Sequence, residues 1–183
     1  EAARKERLQR VESALREGRP LKVGSVAHGG GVLDHALHEG FKLGLIPTEL
    51  AFAVEIEHDY LETSLANNPV WTKDSIAIEG PMEEVETSLL GKVEIMAGGL
   101  PCQGASLAGR AKNGNKTAEE HETAGTLFVA FLQIIKAVNP AVIVLEQVLP
   151  YQRTTSMGVI RQVLNKMGYN VHETVLDESM GAI

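Results

Sequence analysis

Short apolar runs alternate along the chain with segments whose apolar residues recur every three or four positions, and these two periods predict strands and helices in turn. Six strands are expected: Leu21 to Ala27, Leu50 to Ile56, a weak one from Ser75 to Ile78, Val93 to Ala97, Ala141 to Leu145, and Asn170 to Leu176. Helical patterns fill the gaps. The clearest runs from Glu122 to Val138, where Leu127, Phe131, Ile134, Ile135 and Val138 form one stripe and Asn139-Pro140 ends it. Another is expected at the N-terminus, with Leu8, Val11, Ala14 and Leu15 as a narrow stripe and Gly18-Arg19-Pro20 as its stop. This alternation describes an α/β fold built on a doubly wound, mainly parallel sheet. The chain divides into an N-terminal helix, residues 1–20, and one α/β domain, residues 21–183.

Composition narrows the class. With 183 residues and 44% hydrophobic positions, the chain can bury the core of one domain. No apolar stretch approaches the ~20 residues that span a bilayer, and no secretory signal is seen. The single cysteine excludes an internal disulfide framework, and six histidines without paired spacing predict no metal site. A cytoplasmic, reducing setting of prokaryotic or phage type is the expectation. The net charge of −7 argues against a broadly basic surface. Local charge differs: Arg110, Lys112 and Lys116 closely follow Cys102, and Arg153 follows Glu146, a clustering that suits a phosphate backbone.

Chemistry-bearing residues collect where strands are expected to end. The fourth strand runs into Gly98-Gly99-Leu100-Pro101-Cys102-Gln103-Gly104, which displays the cysteine on a proline-stiffened loop flanked by glycines. A lone cysteine is most often a small buried hydrophobe, so the neighbours carry the reading. Residues 105–120 then form one long polar loop, a length usually reserved for function. The first strand ends in Ala27-His28-Gly29-Gly30-Gly31 before a helix at Val32, a turn of the kind that opens nucleotide-binding α/β domains, though without the G-x-G-x-x-G spacing. Glu55 closes the second strand 24 residues after Gly31, about where an acid reaches a ribose diol. Glu146 closes the fifth, at the same sheet edge as Cys102.

The stretch from Gly98 to Arg110 closely resembles motif IV of the DNA (cytosine-5)-methyltransferases, in which a Pro-Cys dipeptide carries the attacking thiol. The resemblance implies a Rossmann-like methyltransferase fold that takes S-adenosylmethionine, and double-stranded DNA as partner. It makes Cys102 the nucleophile. Leu-Glu-Gln-Val resembles motif VI, which implies that Glu146 contacts the cytosine ring nitrogen. By the same resemblance Val26, His28, Gly29, Gly30 and Gly31 hold the cofactor, Glu55 its ribose, and Ile56 its adenine. Asp74 looks like the motif III acid and Leu127 the motif V residue that closes the pocket, while Gln103, Ser106 and Arg110 face nucleic acid. Three departures stand out. Gly24, Val26 and His28 occupy the places of Asp-x-Phe-x-Gly, so an aromatic face on the cofactor is lost, and His28 offers a side-chain hydrogen bond in exchange. Gln147 replaces an asparagine, and its extra methylene is expected to displace a supporting bond. The pattern stops before motif VIII, the target-recognition region, and motifs IX and X. A longer chain or a partner subunit is expected to supply them, and the N-terminal helix is expected to cover the edge near the first strand where motif X would lie.

The resemblance also implies a mechanism. Carbon 5 of cytosine is too electron-poor to take a methyl group, so a thiolate first adds at carbon 6 and the ring nitrogen receives the displaced charge. A thiol of ordinary pKa ~8.5 needs help to ionise. A base inside a duplex must be flipped out, with the 105–120 loop as the moving part. Two other readings stay open: a methyltransferase-like cofactor-binding or regulatory module, favoured by the altered glycine turn and Gln147, and an RNA cytosine-5 methyltransferase using the same thiolate chemistry. A restriction-modification role is the setting the family suggests.

Overall fold

In the computed structural model, which describes residues 1–101, 127–177 and 179, five strands form one sheet in the order β3-β2-β1-β4-β5. They are β1 (Leu21–Val26), β2 (Thr48–Glu55), β3 (Ile76–Glu79), β4 (Ile95–Gly99) and β5 (Val142–Glu146), and every pairing is parallel. Five helices accompany them among the described residues: α1 (Ala2–Glu17), α2 (Val32–Leu43), α3 (His58–Asn67), α4 (Leu127–Val138) and α5 (Thr155–Lys166). Residues 122–126, expected to begin α4, lie outside the described residues.

Both faces of the sheet are covered, which is why the central strands read as apolar runs rather than as alternating patterns. On one face Val26, Phe52, Val54 and Met96 pack against Phe131, Ile134 and Ile135 of α4 and Ile160 and Leu164 of α5. On the other, Leu21, Val23, Leu50, Ala53 and Ile95 meet Ala14 of α1, Val70, and the flanking Phe41 of α2 and Trp71. One glycine is dictated by this packing. A side chain built on Gly24 would start 2.4 Å from the Phe52 ring, so β1 and β2 can lie side by side only with hydrogen at that position.

Two expectations about the periphery need correction. Of the expected stripe, Ala14 is fully buried and Val11 packs beside it, but Leu8 and Leu15 are 47% and 50% exposed, while Arg7 is 3% exposed. The surface that α1 meets carries unpaired carbonyls, which require donors rather than methyl groups. Arg7 donates to the carbonyls of Met167 and Gly168 and stacks 3.8 Å over the Tyr169 ring. Arg10 donates to the carbonyls of Val93 and Asn139, just before β4 and β5. The helix therefore straps the N-terminal ends of the strands, the edge opposite the glycine turn.

The second correction concerns residues 170–176, which pair with no strand among the described residues. Glu173 accepts from Arg161 on α5 at 2.9 Å and from Gln152 at 2.8 Å, and these donors hold its carboxyl down at about 2. That anchor draws the segment toward α5. Strand β5 is less buried than its apolar composition suggests, with Val142 45% exposed, because β5 is an edge strand among the described residues.

Gly24→Ala should destabilise the fold by about 1–3 kcal/mol through overpacking against Phe52. Denaturant unfolding of the single variant and of Gly24→Ala/Phe52→Leu tests this, and the second change should recover part of the loss.

Candidate functional site

The turn between β1 and α2 takes its shape from alternating left-handed residues. Ala27 has φ 48°, Gly29 57° and Gly31 74°, and the alanine is strained there, so the surroundings must hold the turn. At Gly31 a side chain would start 2.2 Å from Asn68 Nδ2 and 2.8 Å from both His28 Nε2 and Ser64 Oγ. Gly29 and Gly30 face open space instead, leaving their backbone accessible. Asn68 Nδ2 donates to the Gly31 carbonyl at 2.7 Å, and the Gly29 N–H donates to Glu55 Oε2 at 2.6 Å.

Beneath the turn lies a buried polar network. The His28 side chain is fully enclosed, with Nδ1 2.9 Å from Asp34 Oδ2 and Nε2 2.7 Å from Ser64 Oγ. Ser25 Oγ donates to the same Asp34 oxygen at 2.8 Å and sits 3.1 Å from His28 Nδ1. A carboxylate only accepts, so His28 carries its hydrogen on Nδ1. Trp71 Nε1 donates to Ser64 Oγ at 3.0 Å, and its ring meets the imidazole edge-on. The expected hydrogen bond from the His28 ring outward is therefore not available. The ring is spent on joining β1 to α2 and α3, and only the backbone of His28 borders the open space.

At the end of β2, Glu55 is buried and uses both oxygens on the backbone, Oε2 for Gly29 and Oε1 for Glu57 N–H at 2.9 Å. Each oxygen retains a lone pair for a further donor. Ile56 beside it is 60% exposed, an apolar surface left uncovered at the strand end. Asp74 does not join them. It is exposed and precedes β3, so in a parallel sheet it belongs to the opposite edge. The acid at the right edge is Glu79, in register with Glu55 and hydrogen-bonded through Oε2 to His58 Nδ1 at 2.8 Å. Its signal was available in the sequence as the charged residue ending Ile76-Ala77-Ile78, one strand length after Asp74.

The crevice that these elements border has a volume of about 270 Å³ and is lined by Ser25 to Gly30, Val32 to Asp34, Gly98, Gly99 and Glu146. Val26 reaches it from the core, where the residue is fully buried. Glu146 ends β5 in register with Gly99, and its Oε2 stands 3.7 Å from where a Gly99 side chain would begin. Gln147 Nε2 donates to the Leu100 carbonyl at 2.7 Å, so the longer amide still reaches the segment that leads through Pro101 to Cys102. Leu127 opens α4 and is buried in the core cluster, away from the crevice lining. Cys102, Gln103, Ser106, Arg110 and the loop of residues 105–120 lie outside the described residues. Among the described residues no His, Cys, Asp and Glu cluster could hold a metal, and no helix is long and apolar enough to cross a membrane.

Residues 22–181 match the family described as C-5 cytosine-specific DNA methylase. The chain belongs to that family. Among curated proteins it is 31% identical over 140 residues to the Type II methyltransferase M.Eco47II of Escherichia coli, covering 73% of this chain and 31% of the relative. It is 32% identical over 112 residues to the Type II methyltransferase M.MspI of Moraxella sp, covering 60% and 26% respectively. The chain thus spans about a quarter to a third of the length of these curated relatives. A crystal structure from Listeria monocytogenes, described as a class I S-adenosylmethionine-dependent methyltransferase, superposes with a TM-score of 0.55 at 13% identity, covering 80% of this chain and 45% of that one. That likeness establishes the methyltransferase fold, the doubly wound parallel sheet expected from the strand pattern.

Glu79 raises the pKa of His58 above the ordinary 6.5, first by its hydrogen bond and then by its charge, with Glu62 adding to it. The pair therefore stabilises the fold fully below about pH 6.5 and loses that contribution as pH rises through the raised value. Glu79→Gln should return His58 toward 6.5, read from an NMR titration of its ring.

Proposed function

We propose that this chain is the catalytic region of a DNA cytosine-5 methyltransferase that uses S-adenosylmethionine and forms a covalent bond through Cys102. One observation carries the reading: the glycine turn after β1 and the ends of β4 and β5 open on one crevice, with Glu146 in its wall. The segment Leu100-Pro101, tied down by Gln147, leads from that wall to Cys102. The residues present fit the cofactor. The exposed backbone of Gly29 and Gly30 suits its amino-acid end, the spare lone pairs of Glu55 suit ribose hydroxyls, and the bare Ile56 side chain suits an adenine face. Glu79, rather than Asp74, takes the position beside the adenine. When bound, S-adenosylmethionine supplies an electrophilic methyl group and leaves as a neutral thioether.

The chain's own residues prepare the base to accept that group. The Cys102 thiolate forms a bond to carbon 6 of a flipped-out cytosine, and the ring's electron pair moves toward the ring nitrogen. Protonated Glu146 delivers its proton to that nitrogen, which leaves carbon 5 electron-rich. After methylation, a water molecule acting as base takes the carbon 5 proton, the electron pair re-forms the carbon 5–carbon 6 double bond as the sulfur departs as thiolate, and the ring nitrogen returns its proton to Glu146. The parallel pairing of β4 and β5 brings Gly99 and Glu146 to one rim, which supports the role assigned to Glu146. Gln103, Ser106 and Arg110 are assigned to the DNA on the motif IV resemblance, with the following lysines beside the phosphates.

Covalent trapping tests the reading. Full-length protein incubated with S-adenosylmethionine and duplex DNA containing 5-fluorocytosine should yield an adduct on a denaturing gel, mapped to Cys102 by mass spectrometry. Cys102→Ala should give none, and Glu146→Gln should slow adduct formation by about 100-fold or more. Equal adduct with transfer RNA would move the assignment to RNA; no adduct with either polymer would leave a cofactor-binding module.

A further inference from the structure

At the edge of the sheet opposite the crevice, Leu45 is strained and gains no burial for it. α2 ends in a hydrogen-bonded stop: the Ile46 N–H donates to the Phe41 carbonyl and the Leu45 N–H to the Lys42 carbonyl, both at 3.0 Å. Such a stop closes on a left-handed residue, a place that glycine fills without strain, and here a leucine fills it with φ 59°. Gly44 stands one position too early, at φ −82°. Phe41 and Ile46 turn toward the core beneath, whereas Leu43 is 88% and Leu45 91% exposed. Folds keep backbone strain of this kind chiefly where the residue meets a ligand or partner. The two leucines have company. The Leu21 N–H donates to the Pro47 carbonyl, which brings the connection from α1 to β1 beside this turn, and Val11 and Ala14 of α1 share one core cluster with Phe41 and Ile46. Leu15, next to Ala14 near the end of α1, is 50% exposed. Together the three leucines present roughly a few hundred Å² of apolar surface, the size of patch that is often functional. Charges of both signs border it: Lys42 with Glu39 at 3.1 Å on α2, and Arg19 with Glu17 at 2.6 Å past the end of α1.

We infer that two copies of this chain pair back to back at this edge, with Leu15, Leu43 and Leu45 at the centre of a two-fold interface. The border decides the partner. A strongly basic or strongly acidic protein would call for a rim of one sign, whereas a rim of both signs complements itself about a two-fold axis, Lys42 of one copy meeting Glu17 of the other and Arg19 meeting Glu39. The net charge of −7 opposes self-association wherever the signs do not alternate in this way. A standard interface buries about 800 Å² per partner, and three leucines supply only part of that, so the pairing is weak and concentration-dependent. The crevice opens at the C-terminal edge, so both copies keep their crevices free. The pairing is independent of the cofactor reading.

Sedimentation equilibrium of the full-length protein tests the pairing. A monomer–dimer equilibrium with a Kd on the order of 10–100 μM is expected. Leu45→Gly should weaken it by about 10-fold or more, yet hold or raise the melting temperature of the dilute monomer, because glycine relieves the strained turn. Leu43→Ser should weaken it as well, without touching the left-handed position. In a Cys102→Ala background, the Leu45→Cys variant should react with a maleimide at low protein concentration and become shielded as the concentration rises. A monomer at every concentration up to ~1 mM overturns the proposal, as does a dimer indifferent to both leucine changes. Shielding of the Leu45→Cys thiol that dilution does not relieve overturns it too, since another part of the same chain would then cover the turn.

Discussion

The parallel ladder between β1 and β4, from Val23 opposite Ile95 to Val26 opposite Gly98, is the constraint on which the rest depends. At this pair the strand order reverses: β1 continues outward through β2 and β3, and β4 through β5. The helix after β1 therefore packs on one face and the helix before β5 on the other. Where the two sets diverge, the described residues leave a crevice at the C-terminal strand ends, as this topology requires. Its position brings the glycine turn from one half and Glu146 from the other within a single opening. A shift of one residue in this register would move Glu146 relative to the turn and redirect every side chain on β4.

The two edges of the sheet are held by different chemistry. At the N-terminal edge α1 supplies guanidinium groups to carbonyls that the strands and loops leave unpaired, so Arg7 and Arg10 satisfy backbone groups that water would otherwise have to reach. These bonds serve the fold. At the C-terminal edge the balance is reversed. A strained alanine, two left-handed glycines and a half-satisfied carboxylate sit together there, kept in place by the His28, Ser64 and Trp71 chain. Strain gathered at one edge and offset by packing elsewhere is the distribution that a binding site requires.

Departures from the related pattern make sense as a set. Gly24 is demanded by Phe52, which fills the space a motif I acid would need. His28 fills the region beneath the turn and points inward, and Asp34 reaches the same region from α2. Each change alone removes something from the turn; together they rebuild its polar lining from a neighbouring helix. Gln147 follows the same logic, since its added length is absorbed and its amide still meets the Leu100 carbonyl.

Local pattern by itself determined the strand and helix order, the parallel class of the sheet, the αL stop of α1 at Gly18, and the collection of Glu55, Ile56 and Glu146 at strand ends. Those features depend on the period of apolar residues and on glycine and proline chemistry, which act over a few positions. Tertiary structure decided the rest. Asp74 and Glu79 flank the same short strand, and only the direction of β3 in the sheet says which of them stands at the C-terminal edge with Glu55. Leu8 and Leu15 look like part of a packing stripe, but beyond the apolar patch that Ala14 meets, α1 faces carbonyls, so Arg7 is buried and Arg10 half-buried there instead. Residues 170–176 have strand composition, yet a strand exists only where a partner is available, and Glu173 is claimed by Arg161 instead. Asp34, Ser64 and Trp71 carry no motif at all. They form one network only because the chain returns them from distant positions to the underside of one turn.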